Sequence, residues 1–225
     1  MSVAPPRFNQ PLTRAEYFDT WSGLHGGVEP TGVVGGWLRL SYALARPLAG
    51  RGVGPDGITL LGVVLAVLVL PSAAAGGHWP LLAVPTIVLA AVMDGLDGAL
   101  AVVGGRTSRR GAVLDGICDR VSDLCFVGAL WLAGADAGWC VAAGVVGLLH
   151  EQLRAGARAA GMSEVGVVTV SERPTRVIVA ASFLLGVGLY PGTADTWATV
   201  GAAAGTVVGL IGFTQLAVVT ARRLR

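Results

Sequence analysis

Apolar residues gather in blocks along this chain. A membrane-spanning helix needs about 20 mostly apolar residues, and six blocks after residue 54 approach that length: 55–76, 79–103, 112–134, 137–159, 174–190 and 196–221. Gly76-Gly77, Gly104-Gly105, Gly134, Gly138 and Pro191-Gly192 punctuate the gaps, as turn residues do. The second, fourth and fifth blocks carry polar residues near one end, and alternation of the spans puts those ends on one side. The pattern predicts an all-α integral membrane protein with six transmembrane helices. A further apolar stretch, 32–50, contains Arg39, Arg46 and Pro47. Two Arg near a bilayer centre would cost at least ~2.5 kcal/mol each. An amphipathic helix lying in the interface avoids that cost, with Trp37, Leu38 and Leu44 toward the acyl chains and the Arg toward headgroups. The alternative is an extra tilted span, which would move the N-terminus to the other side.

Charge settles the orientation. The connections near 71–80, 133–138 and 190–196 contain no Arg. The opposite connections hold Arg51; Arg106, Arg109 and Arg110; Arg154, Arg158, Arg173 and Arg176; then Arg222, Arg223 and Arg225, with Arg120 one turn inside. The positive-inside rule makes that side cytosolic, with both termini inside, and Arg7 and Arg14 agree with it. The expected location is the cell membrane. Residues 1–31, with Pro5, Pro6, Arg7, Arg14, Glu16, Asp19 and Glu29, have no apolar core of a signal peptide and read as a cytosolic segment. Residues 32–54 read as the interfacial helix and 55–222 as the six-helix domain.

Composition agrees: 53% of the 225 residues are apolar and 13% charged, about half the ~25% of soluble proteins. All sixteen basic residues are Arg. Cys118, Cys125 and Cys140 are odd in number, lack C-x-x-C spacing, and read as small buried hydrophobes. His25, His78 and His150 are scattered, which argues against a His metal site.

A carboxylate at membrane depth is expensive and marks function. Asp94 and Asp97 are three apart near the cytosolic end of the second block, and Asp115 and Asp119 four apart near the cytosolic start of the third. Both spacings place a pair on one helix face. The short connection makes the two helices antiparallel neighbours. Four converging carboxylates repel unless protonated or metallated, and an all-oxygen set suits Mg²⁺, Mn²⁺ or Ca²⁺. Two such cations about 3.5–4 Å apart suit displacement at phosphorus. Gly98 and Gly111 flank the set and leave room for a ligand. Asp123, one turn further on, reads as a partner for Arg120 or an outer metal residue.

These residues resemble the signature of the CDP-alcohol phosphotransferases, D-x2-D-G-x2-A-R-x8-G-x3-D-x3-D, through Asp94, Asp97, Gly98, Ala101, Gly111, Asp115 and Asp119. Family members move a phosphatidyl or related group from a CDP-linked lipid to an alcohol and release CMP. The resemblance implies two divalent cations, Mg²⁺ or Mn²⁺, on the four Asp, with Asp119 also the general base. It implies CDP-lipid contacts at Gly98, Ala101, Ser108 and Gly111, and at Asp56, Gly57, Ile58 and Thr59, where Pro55-Asp56-Gly57-Ile58-Thr59 is similar to the family's Pro-Asn-x-x-Thr. Val102 stands where the signature has Arg. Arg106, Arg109 or Arg110 replaces it from the loop, or substrate preference changes, or activity is lost.

A second basic group is Arg154 and Arg158, four apart, with Arg173 and Arg176 around Pro174. Four Arg at one cavity would hold an anionic acceptor, and Glu172-Arg173-Pro174-Thr175-Arg176 resembles the Glu-Arg-x-x-Arg region of members that use phosphorylated inositol. Ordinary positive-inside topology and binding to anionic lipid account for them equally. Glu151 reads as a partner for Arg154 or a neighbour. The reading that emerges is transfer of a phosphatidyl group from CDP-diacylglycerol to a small polyol or phosphorylated polyol, inositol phosphate or glycerol phosphate foremost. A homodimer, membrane lipids as surroundings and no nucleic-acid partner are expected. A divalent-cation transporter and a catalytically silent family member are the alternatives; an Arg-rich mouth would repel cations.

Overall fold

The computed structural model describes residues 11–24, 27, 29–162 and 168–224. Pro5, Pro6, Arg7, His25 and Arg225 lie outside the described residues. Among the described residues, regular structure is helical throughout: α1 (Arg14–Leu24), α2 (Gly32–Gly50), α3 (Pro55–Ala74), α4 (Ala83–Val103), α5 (Arg109–Leu132), α6 (Ala137–Ala159), α7 (Arg173–Leu189) and α8 (Ala194–Arg223), with 3₁₀ turns at Trp79–Leu82 and Pro191–Thr193. The six apolar blocks reappear as α3 to α8, nearly at the expected bounds. α3 stops at Ala74 because Gly76 and Gly77 turn the chain with φ of 66° and 56°, values L side chains rarely adopt.

Three helical stretches among the described residues are long and apolar enough to cross a membrane: Pro55–Ala74, Trp79–Val103 and Pro191–Arg223. The protein is therefore a membrane protein. α5 carries Arg109, Arg110, Asp115, Asp119, Arg120 and Asp123, α6 ends on Glu151, Arg154 and Arg158, and α7 has only 17 residues.

The described residues divide into two compact units. The first takes those within 1–61 and 92–117, the second those within 62–91 and 118–225, so α3, α4 and α5 each contribute a stretch to both. In the first unit, Tyr17, Leu38, Tyr42, Ala45, Ile58, Leu96, Ala99, Leu100 and Val103 form the core. Leu38, Tyr42 and Ala45 are spaced i, i+4, i+7, one stripe of α2, and each large side chain so buried contributes about 1.5–3 kcal/mol. This corrects one expectation for α2. Leu38 is 5% exposed and belongs to that core, while Trp37 and Leu44, at 40% and 39%, remain open, as do Arg39 and Arg46. The apolar blocks do not announce α1. Its start is a reciprocal cap: Glu16 Oε2 accepts from Thr13 N at 2.8 Å, and Glu16 N donates to Thr13 Oγ1 at 3.4 Å. Leu12 ties the helix down, its N donating to Val103 O at 2.9 Å and its carbonyl accepting from Tyr42 Oη at 3.1 Å.

In the second unit, Ala66, Val69, Ile87, Phe126, Leu130, Leu184, Val187, Ala198 and Ala202 lie in one apolar core. Small residues let α8 approach its neighbours. A Cβ on Gly201 would stand 2.6 Å from Phe183 Cβ, and one on Gly209 2.9 Å from Val146 Cγ1. Cys118 and Cys140 are buried and Cys125 half-buried, all as free thiols.

Candidate active site and metal centre

Three short backbone devices shape the first unit's site. Pro55 opens α3 and needs no N–H partner there. Ser108 caps α5, its Oγ accepting from Gly111 N at 2.9 Å. The Gly104-Gly105 turn closes α4, with Arg106 N donating to Ala101 O at 2.8 Å. Between them lies a cavity of about 240 Å³, lined by Pro55, Asp56, Thr59, Asp97, Gly98, Ala101, Val102, Arg106, Thr107, Ser108, Gly111, Ala112 and Asp115. The structure thus brings together Asp56, Thr59, Asp97, Gly98, Ala101, Arg106, Ser108, Gly111 and Asp115 of the expected set. Ile58 turns instead into the core, on the other side of α3's first turn. Gly57 is not among the lining residues, nor are Arg109 and Arg110, which are exposed on α5.

Asp97 is 5% exposed. Its Oδ2 accepts from Thr59 Oγ1 at 2.5 Å and its Oδ1 from Gly98 N at 2.6 Å. Such charge-assisted bonds offset the cost of burying the carboxylate and fix its rotamer. Asp94 and Asp115 present carboxylate oxygens within 4.8 Å of each other, and Asp119, one turn on along the uninterrupted α5, presents one within the same distance of Asp115. This donor set fits a hard divalent cation: every donor is a carboxylate oxygen, and several within one coordination sphere's width repel without a cation. Asp97 differs from the expected fourfold set in being tied to Thr59. Beside Asp94, Gly95 makes room for α2, since a Cβ there would meet Trp37 Cζ2 at 2.5 Å.

Arg106 stands beside Val102 in the cavity wall. Its Nη1 donates to Gly52 O at 2.9 Å and Val53 O at 3.2 Å. The loop after α2 therefore holds one guanidinium at the cavity, near the position where the family signature places its own.

The second unit holds the other basic group in a connected network. Arg173 Nη1 lies 2.6 Å from Asp119 Oδ1, and Arg120 Nη1 3.3 Å from Asp119 Oδ2. Glu151 takes Arg120 Nη2 on one oxygen at 2.7 Å and Arg176 Nη2 on the other at 3.0 Å. Arg176 Nε donates to Asp123 Oδ2 at 3.0 Å, and Arg176 Nη1 to Ser171 O at 2.6 Å. Arg154 pairs with Glu172 at 2.6 Å, and Arg158 is exposed at the end of α6. One expected pairing is corrected here: Asp123 bonds Arg176 rather than Arg120. Glu151, expected to pair with Arg154 or a neighbour, bonds Arg120 and Arg176. The reason is that helix packing offers partners from neighbouring helices that sequence spacing does not reveal. His150 and Thr169 carry no signal in the sequence; a lone His in an apolar block looks like core.

The comparisons with known proteins agree with the motif. A family model for CDP-alcohol phosphatidyltransferases matches residues 53–213. The phosphatidylinositol phosphate synthase of Mycolicibacterium smegmatis is 35% identical over 162 residues, 68% of this chain and 69% of that protein. A crystal structure of Mycobacterium tuberculosis phosphatidylinositol phosphate synthase with CDP-DAG bound matches with a TM-score of 0.65 at 29% identity, over 81% of this chain and 94% of that one. A second, in complex with manganese and citrate, matches with a TM-score of 0.66 at 27% identity, over 80% and 88%. The matched stretch takes in every residue of the cavity, the carboxylates and the arginine network, and the chain belongs to the CDP-alcohol phosphatidyltransferase family.

Proposed function

We propose that this membrane enzyme transfers the phosphatidyl group of CDP-diacylglycerol to a hydroxyl of an inositol phosphate and releases CMP, in phospholipid synthesis. The observation that carries the reading is the cavity whose wall is the signature itself, Asp97, Gly98, Ala101, Gly111 and Asp115, together with Asp56, Thr59 and Ser108. Gly98 and Gly111 leave space for the nucleotide, and Arg106 supplies the cation that Val102 does not. Asp94, Asp97, Asp115 and Asp119 hold two divalent cations, Mg²⁺ or Mn²⁺. When bound, these neutralise pyrophosphate charge and improve CMP as a leaving group.

The chain's own groups do the rest. Thr59 holds Asp97 in one rotamer. Asp119 takes the proton of the acceptor hydroxyl as that oxygen bonds to the phosphorus carrying the diacylglycerol and the P–O bond to CMP breaks. Arg173 and Arg120 fix the orientation of that carboxylate. Arg154, Arg158, Arg173 and Arg176 receive the acceptor's phosphate, the guanidinium being suited to bidentate contact with it. This favours inositol phosphate over the unphosphorylated alcohol, and the synthases that the chain resembles support it over glycerol phosphate. The family assignment leaves the cation-transport alternative without an observation in its favour.

The setting that suits this chemistry is the cell membrane, with α3 to α8 as six spans, residues 55–222 as the catalytic domain, and residues 32–54 along the interface. Residues 1–31, both termini and the site face the cytosol, where CMP and a phosphorylated acceptor are soluble. The protein acts as a homodimer in this reading. The test is CMP release by purified protein with CDP-diacylglycerol, Mg²⁺ or Mn²⁺ and a panel of acceptors. Release with inositol phosphate is expected. No release with any acceptor, under conditions that activate a relative, refutes the proposal.

A further inference from the structure

We infer that His150 is a positioning residue that sets the spacing of the arginines receiving the acceptor's phosphate. The inference rests on the acceptor reading above. His150 is fully buried on α6, where an imidazole costs desolvation unless its nitrogens are used. Its Nε2 lies 3.1 Å from Thr169 Oγ1. Thr169 is itself committed, its N and Oγ1 both donating to Glu172 Oε1 at 2.8 and 3.0 Å. Because that hydroxyl hydrogen goes to the carboxylate, the hydroxyl oxygen accepts from His150 Nε2. The same Glu172 oxygen receives Arg154.

On α6 the next residue after His150 is Glu151, whose Oε1 receives Arg176. The buried ring thus ties the segment that carries Thr169 and Glu172, and with it Arg154, to the turn of α6 that carries Glu151 and, through it, Arg176. Arg154 projects from α6 and Arg176 from α7, and neither helix alone fixes the distance between them. Glu172 and Thr169 belong to the segment leading into α7, which also bonds α8 through Val170 N to Gln215 Oε1 at 3.0 Å. The imidazole is the rigid spacer between that segment and α6. Two phosphate-binding arms must be held at one separation to grip one phosphate, and the ring holds them without touching the phosphate.

The test compares His150→Phe, which keeps a planar ring and loses both nitrogens, with His150→Gln, which restores a side-chain N–H donor for Thr169. Initial rates are measured against inositol phosphate and against CDP-diacylglycerol separately. His150→Phe is expected to raise KM for inositol phosphate about tenfold, the equivalent of one hydrogen bond to a charged group, with KM for CDP-diacylglycerol unchanged and kcat within about twofold. His150→Gln is expected to recover most of the loss. Equal effects on both KM values, or no effect in His150→Phe, overturn the positioning role while leaving the acceptor reading intact. Should the wild type use a different phosphorylated alcohol, the acceptor reading is corrected and the same split on that alcohol decides the role of His150. Should it transfer to none, calorimetric titration with inorganic phosphate replaces the rates: weaker binding in His150→Phe supports the role and equal binding overturns it. A wild type that binds no phosphate overturns both.

Discussion

Replacing Thr59 by Val tests the first unit's site most sharply. Val has the same shape and loses only the hydroxyl, whose longer contact, 3.2 Å to Pro55 O, leaves one strong bond at stake. That bond runs to Asp97 Oδ2, between side chains whose residues are 8% and 5% exposed, so water does not readily replace it. The other oxygen keeps its bond from Gly98 N, so the carboxylate stays in place on one side and is freed on the other. A buried hydrogen bond to a charged group contributes roughly 1.5–3 kcal/mol, which is about 10- to 150-fold in an equilibrium constant. Loss of an outer partner of a metal ligand costs about 10–100-fold in metal affinity or activity, and the two ranges agree. The Mn²⁺ or Mg²⁺ concentration for half-maximal CMP release is therefore expected to rise about 10–100-fold, with much of the rate recovered at saturating metal. KM for the acceptor is expected to stay put. Thr59→Ser, which keeps the donor, should stay within a few-fold of the wild type. A Thr59→Val enzyme with unaltered metal activation would show that Asp97 needs no partner, and the assignment of this bond to metal affinity would fall.

Other predictions follow from the same geometry. Asp119→Asn should lower CMP release by about 10²–10⁴-fold, the usual contribution of a positioned base, with the helical circular dichroism unchanged; full activity refutes the base. Arg106→Gln should raise KM for CDP-diacylglycerol about tenfold, one charge-assisted contact, and adding Val102→Arg should restore it. If the double variant is no better than Arg106→Gln, the two positions do not serve the same phosphate. Chelation of divalent metal should abolish CMP release and readdition of Mn²⁺ or Mg²⁺ should restore it; activity in excess chelator excludes the cations. Gly201→Val should destabilise the second unit by about 1–3 kcal/mol through overpacking against Phe183, read as a lower midpoint of thermal unfolding followed with a thiol dye at the buried Cys118 and Cys140. An unchanged midpoint would mean that α7 and α8 can separate at no cost.

The sequence shows what is written in one element at a time. Long apolar blocks and Gly punctuation locate α3 to α8, because a helix stays continuous through an apolar run and turns where Gly supplies a positive φ. The Asp spacing located Asp94, Asp115 and Asp119, because i to i+3 and i+4 geometry is local to a helix. What escaped was lateral. Arg176 chooses Asp123 and Glu151 on two other helices, and no spacing within α7 forecasts that. Leu38 looked like a lipid contact because an apolar stripe is the same whether lipid or protein covers it. α1 was legible in principle through Thr13-x-x-Glu16, but eleven mixed residues give no block. Thr59 was found through a motif, and its bond to Asp97 through the fold alone.

The close seating of Trp37 on Gly95 has an optical consequence. An indole lies in van der Waals contact with the backbone next to Asp94 and is still 40% open to its surroundings. Its emission responds to the polarity and charge around it, so the chain carries its own reporter beside the carboxylate set. With the other five of its six tryptophans replaced by Phe, addition of Mn²⁺ should change the emission of Trp37 in the absence of any substrate. The occupancy of the metal centre then becomes readable in membranes, without labelling and without turnover.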